Sequence, residues 1–321
     1  MNSKLKKAGD PIAAILAEYP VLVLDGAMAT ELEQHGCDLD DPLWSARVLL
    51  EQPEKIRRVH EDYFRAGADC AITASYQATV EGFAAKGIKE EQALELIRST
   101  VKLALEARDT VWAEVQHQSR PKPIVAGSVG PYGAYLADGS EYVGHYDVDD
   151  RRLTEFHRLR IQALIEAGAD ILAFETIPSL QEALVLAELL KNEFPDAYAW
   201  MSFSLQDGGR ISEGTSLEEC ARALEDYAAI AAIGVNCAPA SFATEAIQHL
   251  AAFTDKPLLI YPNSGETYDA STKTWHAGES NGCGSFADSA LAWHEAGARL
   301  IGGCCRTTPE QIVQVSSLWR S

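Results

Sequence analysis

Positive charge is scarce in this chain: 27 Lys and Arg stand against 47 Asp and Glu, a formal net charge of -20 over 321 residues. That balance excludes the basic face a phosphate backbone requires, so nucleic acid is not an expected partner. An acidic surface favours approach of a cationic substrate, but solubility is its commoner use, and charge alone does not choose. Long apolar runs are missing too. No stretch approaches the roughly 18 uncharged apolar residues of a membrane-spanning helix. The apolar run 11–17 is cut at once by Glu18 and shows no cleavage pattern, so neither membrane nor secretion is expected and the cytoplasm is the default location. No linker or polar low-complexity tract divides the chain. The eight histidines form no short metal-ligand pattern, and Gly127, Ser128, Val129 and Gly130 lack the spacing of either nucleotide-phosphate loop.

What is present describes an ordinary globule, 47% hydrophobic and 23% charged, of a length that suits one α/β barrel. One domain over residues 1–321 is the expected organisation. Eight short apolar, β-branched runs recur at 21–24, 70–74, 124–126, 171–174, 199–203, 233–235, 258–261 and 300–301. Between them lie amphipathic stretches, among them 53–66, 94–115, 153–167, 180–193, 217–227 and 286–296. His60, His157, His249 and His294 fall on these stretches, where surface or partly buried roles outside the barrel are expected. The repeated segments RAGAD at 65–69, EAGAD at 166–170 and EAGAR at 295–299 place glycine where a helix should stop before a strand. The same punctuation suits an open doubly wound sheet. The count of eight favours closure into a single (β/α)8 TIM-type barrel.

In such a barrel the active site forms at the C-terminal strand ends, so the polar residues just after each apolar run are the candidates. Three of the seven cysteines qualify: Cys237 after the sixth run, and Cys304 with Cys305 after the eighth. A reducing compartment makes a disulfide framework improbable. Single cysteines are usually small buried hydrophobes, but three thiols at one barrel rim suit a metal, and soft sulfur selects zinc. Adjacent cysteines on a regular strand face opposite ways, so the pair must sit in a bend. Gly302 and Gly303 before it, and Thr308, Pro309 and Gln311 behind it, the pattern of a capping box, supply that bend. Cys220 reads as a helix core position; Cys37, Cys70 and Cys283 receive no chemistry. Three protein ligands leave a fourth position open, and three thiolates make zinc a poor Lewis acid for hydrolysis. A substrate thiol held as thiolate is the better use, and alkylation of that thiol the expected chemistry.

The segments LDGAMATEL at 24–32, TASYQA at 73–78, FETIP at 174–178, GVNC at 234–237 and GGCCRTTPE at 302–310 resemble the homocysteine S-methyltransferase family. The likeness runs through nearly the whole chain, and its two cysteine elements are the specific ones. It implies that Cys237, Cys304 and Cys305 bind zinc and that the sulfur of L-homocysteine completes the tetrahedron. It further implies that Glu175, Asp25 and backbone near Gly26 and Ala27 hold the amino acid end, a pairing of carboxylates with an ammonium and of amides with a carboxylate. Asn236 and Asn263 position substrate, brace the cysteines, or, as asparagine at a strand end often does, just satisfy backbone groups. Ser75, Tyr76 and Gln77 suit a neighbouring donor site, with Tyr76 facing a sulfonium. Donors in the family include S-methylmethionine, S-adenosylmethionine, betaine and methyltetrahydrofolate. The length of this chain and its TASYQ element point to a sulfonium, S-methylmethionine first and S-adenosylmethionine second. A betaine-type enzyme, a zinc hydrolase and a non-catalytic zinc- or thiol-sensing barrel remain as alternatives. Oligomeric state is not legible.

Overall fold

Eight parallel strands pair in sequence around a closed ring in the computed structural model, which describes residues 9–39, 44–265, 267–269, 274–276 and 285–320. The strands are β1 (Leu22–Val23), β2 (Cys70–Ile72), β3 (Ile124–Val129), β4 (Ile171–Ile177), β5 (Ala199–Phe203), β6 (Ile230–Asn236), β7 (Leu258–Tyr261) and β8 (Ala298–Ile301). Each pairs with its sequence neighbours, and β8 pairs with β1. The last gap, between β1 and β2, closes through a parallel bridge of Leu24 to Cys70 and the bond from the Asp25 amide to the Cys70 carbonyl at 3.1 Å. All eight expected runs are strands. The commonest error is length: β3 and β4 run on through Val129 and Ile177, because both faces of their ends stay covered.

Alternation of side chains splits the apolar residues into two clusters. Trp200 of β5, Leu259 and Tyr261 of β7, and Leu300 of β8 fill the lumen, while Met201, Phe203, Leu258 and Ile260 face the surrounding helices. Ile12 and Ile15 belong to the lumen cluster. They come from the helix Pro11–Leu16, which Asp10 caps by accepting from the amides of Ile12 and Ala13 and which opens on Pro11. The apolar run at 11–17 is therefore a plug for the barrel.

The glycines of the three repeats stop helices as expected. Gly67, Gly168 and Gly297 follow the helices Pro53–Arg65, Asp150–Glu166 and Phe286–Glu295 with φ of 104°, 93° and 121°. Two of the helical histidines depart from expectation: His60 and His157 are fully buried, since both lie on helix faces turned toward the barrel. Among the described residues, no helix is long and apolar enough to cross a membrane.

Candidate metal centre and substrate site

Sulfur reaches the rim at two strand ends. Cys237 follows β6 directly, in a left-handed conformation with φ 50°, its amide donating to the Tyr261 carbonyl at 3.1 Å. After β8 the chain passes through Gly302 and Gly303, where space rather than backbone freedom demands glycine. A Cβ on Gly302 would lie 2.5 Å from that of Leu24, and one on Gly303 2.4 Å from the Thr307 side chain. The chain then turns: the amide and hydroxyl of Thr307 donate to the Cys304 carbonyl at 3.2 and 2.6 Å, and Arg306 adopts φ 66°. The capping box of Thr308 and Gln311, with Pro309 at the first position, opens the following helix as its sequence pattern predicts. That bend puts both neighbouring cysteines on one side.

The three sulfurs converge. Cys237 Sγ lies 3.6 Å from Cys305 Sγ, Cys304 Sγ lies 4.0 Å from Cys305 Sγ, and all three are within 4.8 Å of one another. A disulfide needs about 2.05 Å, so these are free thiols. Zinc–sulfur bonds of about 2.3 Å in a tetrahedron give sulfur–sulfur edges of about 3.8 Å, so the separations of 3.6 and 4.0 Å bracket the spacing of a thiolate zinc site. Bonds from Cys304 and Cys305 hold the Cys237 thiol well below its usual range, and that charge in turn keeps protons on the other two. A divalent cation would hold all three sulfurs as thiolates. The Tyr142 hydroxyl adds a bond to Cys237 Sγ at 3.1 Å. Of the remaining cysteines, Cys37, Cys70 and Cys220 are buried thiols away from the trio, and Cys283 lies outside the described residues.

Two carboxylates occupy the barrel mouth. Asp25 is 3% exposed and Glu175 6%. Asp25 Oδ2 accepts from the Ile72 amide at 2.9 Å. Glu175 accepts from the Ser128 hydroxyl and, at 3.1 Å, from the Tyr261 hydroxyl, itself bonded by Trp200 Nε1 at 3.1 Å. Burial pushes Asp25 well above the usual carboxylate range, with Glu175 adding repulsion, and lifts Glu175 to about 7. Among the described residues neither group forms a salt bridge, and hydrogen bonds from Ile72, Ser128 and Tyr261 only partly offset burial. Burial disfavours the charged form of both carboxyls, so an arriving cation is what would stabilise them as carboxylates, and the pair suits an ammonium.

The other expected residues sort by what already binds them. The Ala27 amide donates to the Thr307 carbonyl and hydroxyl at 3.3 and 3.2 Å, so it is not free for a ligand as the sequence suggested. Gly26 sits in a crevice where a Cβ would come within 2.8 Å of both Thr307 and Tyr63. Ser75, expected beside the donor, is fully buried, its hydroxyl bonded to the Ser128 carbonyl at 2.8 Å and to Thr73 at 2.7 Å. It fastens β2 to β3. Asn236 takes the bracing role: Oδ1 accepts from the Thr176 amide and Ser202 hydroxyl at 2.8 and 2.7 Å, and Nδ2 donates to Thr176 Oγ1 at 2.8 Å. Asn263 keeps a buried Oδ1 without a partner among the described atoms. Tyr76 and Gln77 stay half-buried at the rim. The Tyr76 ring lies against Gly130, where a Cβ would meet its edge at 2.7 Å.

Sequence reading missed what holds Tyr76. Arg160, 1% exposed, donates to the Tyr76 carbonyl at 3.1 Å and the Gly130 carbonyl at 2.6 Å. Its Nη2 also meets His157 Nδ1 at 2.8 Å, and His157 Nε2 meets Glu182 at 2.8 Å. Arginine only donates, so His157 is the neutral Nε2–H tautomer, and burial lowers its pKa accordingly. A signal existed: His157 and Arg160 share a helix face with the buried Leu153, Phe156 and Leu164.

Comparison with known proteins identifies relatives along nearly the whole chain. A sequence model of the family described as homocysteine S-methyltransferase matches residues 22–318. The chain is 57% identical over 314 residues to homocysteine S-methyltransferase YbgG of Bacillus subtilis (strain 168), covering 97% of this chain and 98% of that one. It is 53% identical over 308 residues to homocysteine S-methyltransferase of Escherichia coli (strain K12), covering 96% and 98%. Among solved structures it resembles the metallated form of the homocysteine methyltransferase MmuM from Escherichia coli, with a TM-score of 0.87, 50% identity, and coverage of 96% and 100%. A barrel whose rim gathers three thiols beside a pair of buried carboxyls is thus matched in fold and along nearly its full length, and the chain belongs to the homocysteine S-methyltransferase family.

Proposed function

We propose that this homocysteine methyltransferase draws its methyl group from a sulfonium, S-methylmethionine first and S-adenosylmethionine second, and binds zinc through Cys237, Cys304 and Cys305. The observation that carries the metal is the near-tetrahedral spacing of 3.6 and 4.0 Å within an all-sulfur set. The metallated state of the Escherichia coli relative supports it. Bound there, zinc supplies an open position that holds the homocysteine sulfur as a thiolate at neutral pH. Free thiols at the rim also suit the reducing cytoplasm.

The chain's own residues do the rest. Asp25 and Glu175 receive the ammonium of homocysteine, and the turn at Gly26 its carboxylate. Tyr76, with its ring fixed against Gly130 and its carbonyl held by Arg160, offers an aromatic face to the donor cation, and Gln77 sits beside it at the rim. The donor C–S bond breaks toward its own sulfur, which leaves as a neutral thioether, while the thiolate forms the new bond to the methyl carbon. No general acid is required; alignment and exclusion of water supply the rate. With S-methylmethionine both products are methionine.

The test is methionine formation from homocysteine by zinc-loaded protein with S-methylmethionine, S-adenosylmethionine and betaine in parallel arms, alongside metal analysis. Turnover with a sulfonium and one zinc per chain supports the reading. Turnover with betaine alone gives the betaine-type reading, and full zinc with no turnover gives the sensing barrel.

A further inference from the structure

The loop after β3 carries a carboxylate that neither the metal nor the homocysteine receptor uses. It runs through the helix Tyr132–Leu136 to the 3-10 turn Ser140–Tyr142, which presents Glu141 and Tyr142 to the rim. Its backbone is closely seated. The Glu141 carbonyl accepts from Ser204 Oγ at 3.0 Å, Gly144 bonds back to the Ser140 carbonyl at 2.8 Å, and a Cβ on Gly133 would lie 2.5 Å from the Glu141 nitrogen. Tyr142 reaches Cys237 Sγ at 3.1 Å. Glu141 Oε2 is buried and has no hydrogen-bond partner among the described atoms.

The surroundings of that oxygen are aromatic and anionic. The negative charges of Glu141 and Cys237 both bear on the Tyr76 hydroxyl, and Glu141 also bears on Tyr146. Among the described residues no salt bridge reaches Glu141; burial raises its carboxyl above the usual range, and Cys237 and Asp138 add repulsion. An unpaired carboxylate at a buried position costs free energy unless something fills its vacancy. A metal is an unlike partner, since hard oxygen is a poor companion to a soft sulfur trio. A large, weakly hydrated organic cation between Tyr76 and Tyr142 fits both the charge and the rings.

We propose that Glu141 is a specificity-determining residue that holds the sulfonium centre of the methyl donor against the faces of Tyr76 and Tyr142, on the Cys237 side of the site. This rests on the sulfonium donor proposed above. It separates two charge receptors. Asp25 and Glu175 take the acceptor's ammonium at the barrel mouth, and Glu141 takes the donor's cation at the rim. It also gives the reaction a release step. Methyl transfer returns an electron pair to the donor sulfur, which becomes a neutral thioether, so the attraction to Glu141 ends with the chemistry.

The experiment compares zinc-loaded wild type with Glu141→Gln and Glu141→Asp at saturating homocysteine and varied S-methylmethionine. Trimethylsulfonium serves as an inhibitor that carries the cation and nothing else. Glu141→Gln is expected to raise the donor KM about tenfold or more, the loss of one charged contact. The trimethylsulfonium inhibition constant should rise by a similar factor, with zinc content and homocysteine KM unchanged. Glu141→Asp, which keeps the charge but draws it back, should fall between. Asp147→Asn, an exposed change farther along the same loop, should move neither constant. An unchanged donor KM in a folded, zinc-loaded variant overturns the assignment. So does an effect on homocysteine KM alone, or an S-methylmethionine effect without any on trimethylsulfonium. Wild type inert to every sulfonium overturns the donor reading and this one together, and it is seen before any variant is made.

Discussion

Asn236 clasps Thr176 across the barrel mouth: the Thr176 amide donates to Asn236 Oδ1 at 2.8 Å, and Asn236 Nδ2 donates to Thr176 Oγ1 at 2.8 Å. Thr176 has φ 59° and Cys237, the residue after Asn236, has φ 50°. Two strand ends in left-handed conformations, one beside Glu175 and one bearing sulfur, are thus tied by a single amide.

Replacing that amide unties both. Asn236→Ala leaves the Thr176 amide and two hydroxyls without partners, a cost of about 2–4 kcal/mol for such buried groups. Denaturant unfolding should show the loss, and zinc affinity should fall with it because Cys237 is no longer placed. Full stability and full zinc affinity in the variant would mean the clasp holds neither end.

Each sulfur of the trio should be indispensable. Cys237→Ser, Cys304→Ser and Cys305→Ser are each expected to drop bound zinc from one per chain to near none, and methionine formation by about a hundredfold or more. Removal of metal by a chelator should abolish turnover in the wild type, and added zinc restore it. A serine variant that keeps both zinc and rate removes that sulfur from the ligand set.

Acid should weaken homocysteine binding through Glu175. Its carboxyl is lifted to about 7 in the empty site, so below that pH it is protonated and no longer attracts an ammonium. The profile of kcat/KM for homocysteine should therefore fall as pH drops from 8 to 6. In Glu175→Gln the affinity should be lower by about tenfold or more at pH 8, and the fall with acid shallower. Parallel profiles for the two proteins would assign the acid limb to another group.

The buried His60 should make the fold acid-sensitive. Neither ring nitrogen has a partner among the described atoms, and burial lowers its pKa from 6.5 to about 4. The unfolded chain takes up a proton as pH falls through 6.5 while the folded chain does not, so stability is lost over that window, by about 2 kcal/mol at pH 5. Urea unfolding of His60→Leu and wild type at pH 7.5 and pH 5 checks this. The variant should gain relative to wild type on acidification, and an unchanged difference between the two would exonerate His60.

Much of this molecule was readable in one dimension. Strands covered on both faces leave unbroken apolar runs, and helices leave a 3.6-residue period, so the eight-fold alternation and its glycine stops were visible before any coordinates. The thiols were visible too, because strand ends at one rim of a barrel are adjacent wherever their residues fall in the chain.

What sequence alone determined, then, was the barrel, the rim and the residue types that reach it. Tertiary structure decided which polar atoms remain available there. Ser75 and the Ala27 amide sit in promising segments yet are already bonded, Asn236 is a clasp, and Arg160 and His157 support the rim from a helix outside it. Glu141, in a loop with no motif, keeps a buried oxygen unpartnered among the described atoms, next in sequence to the Tyr142 that meets Cys237. Hydrogen bonds are directional and short, so whether a group is satisfied depends on partners far off in sequence, which periodicity does not encode.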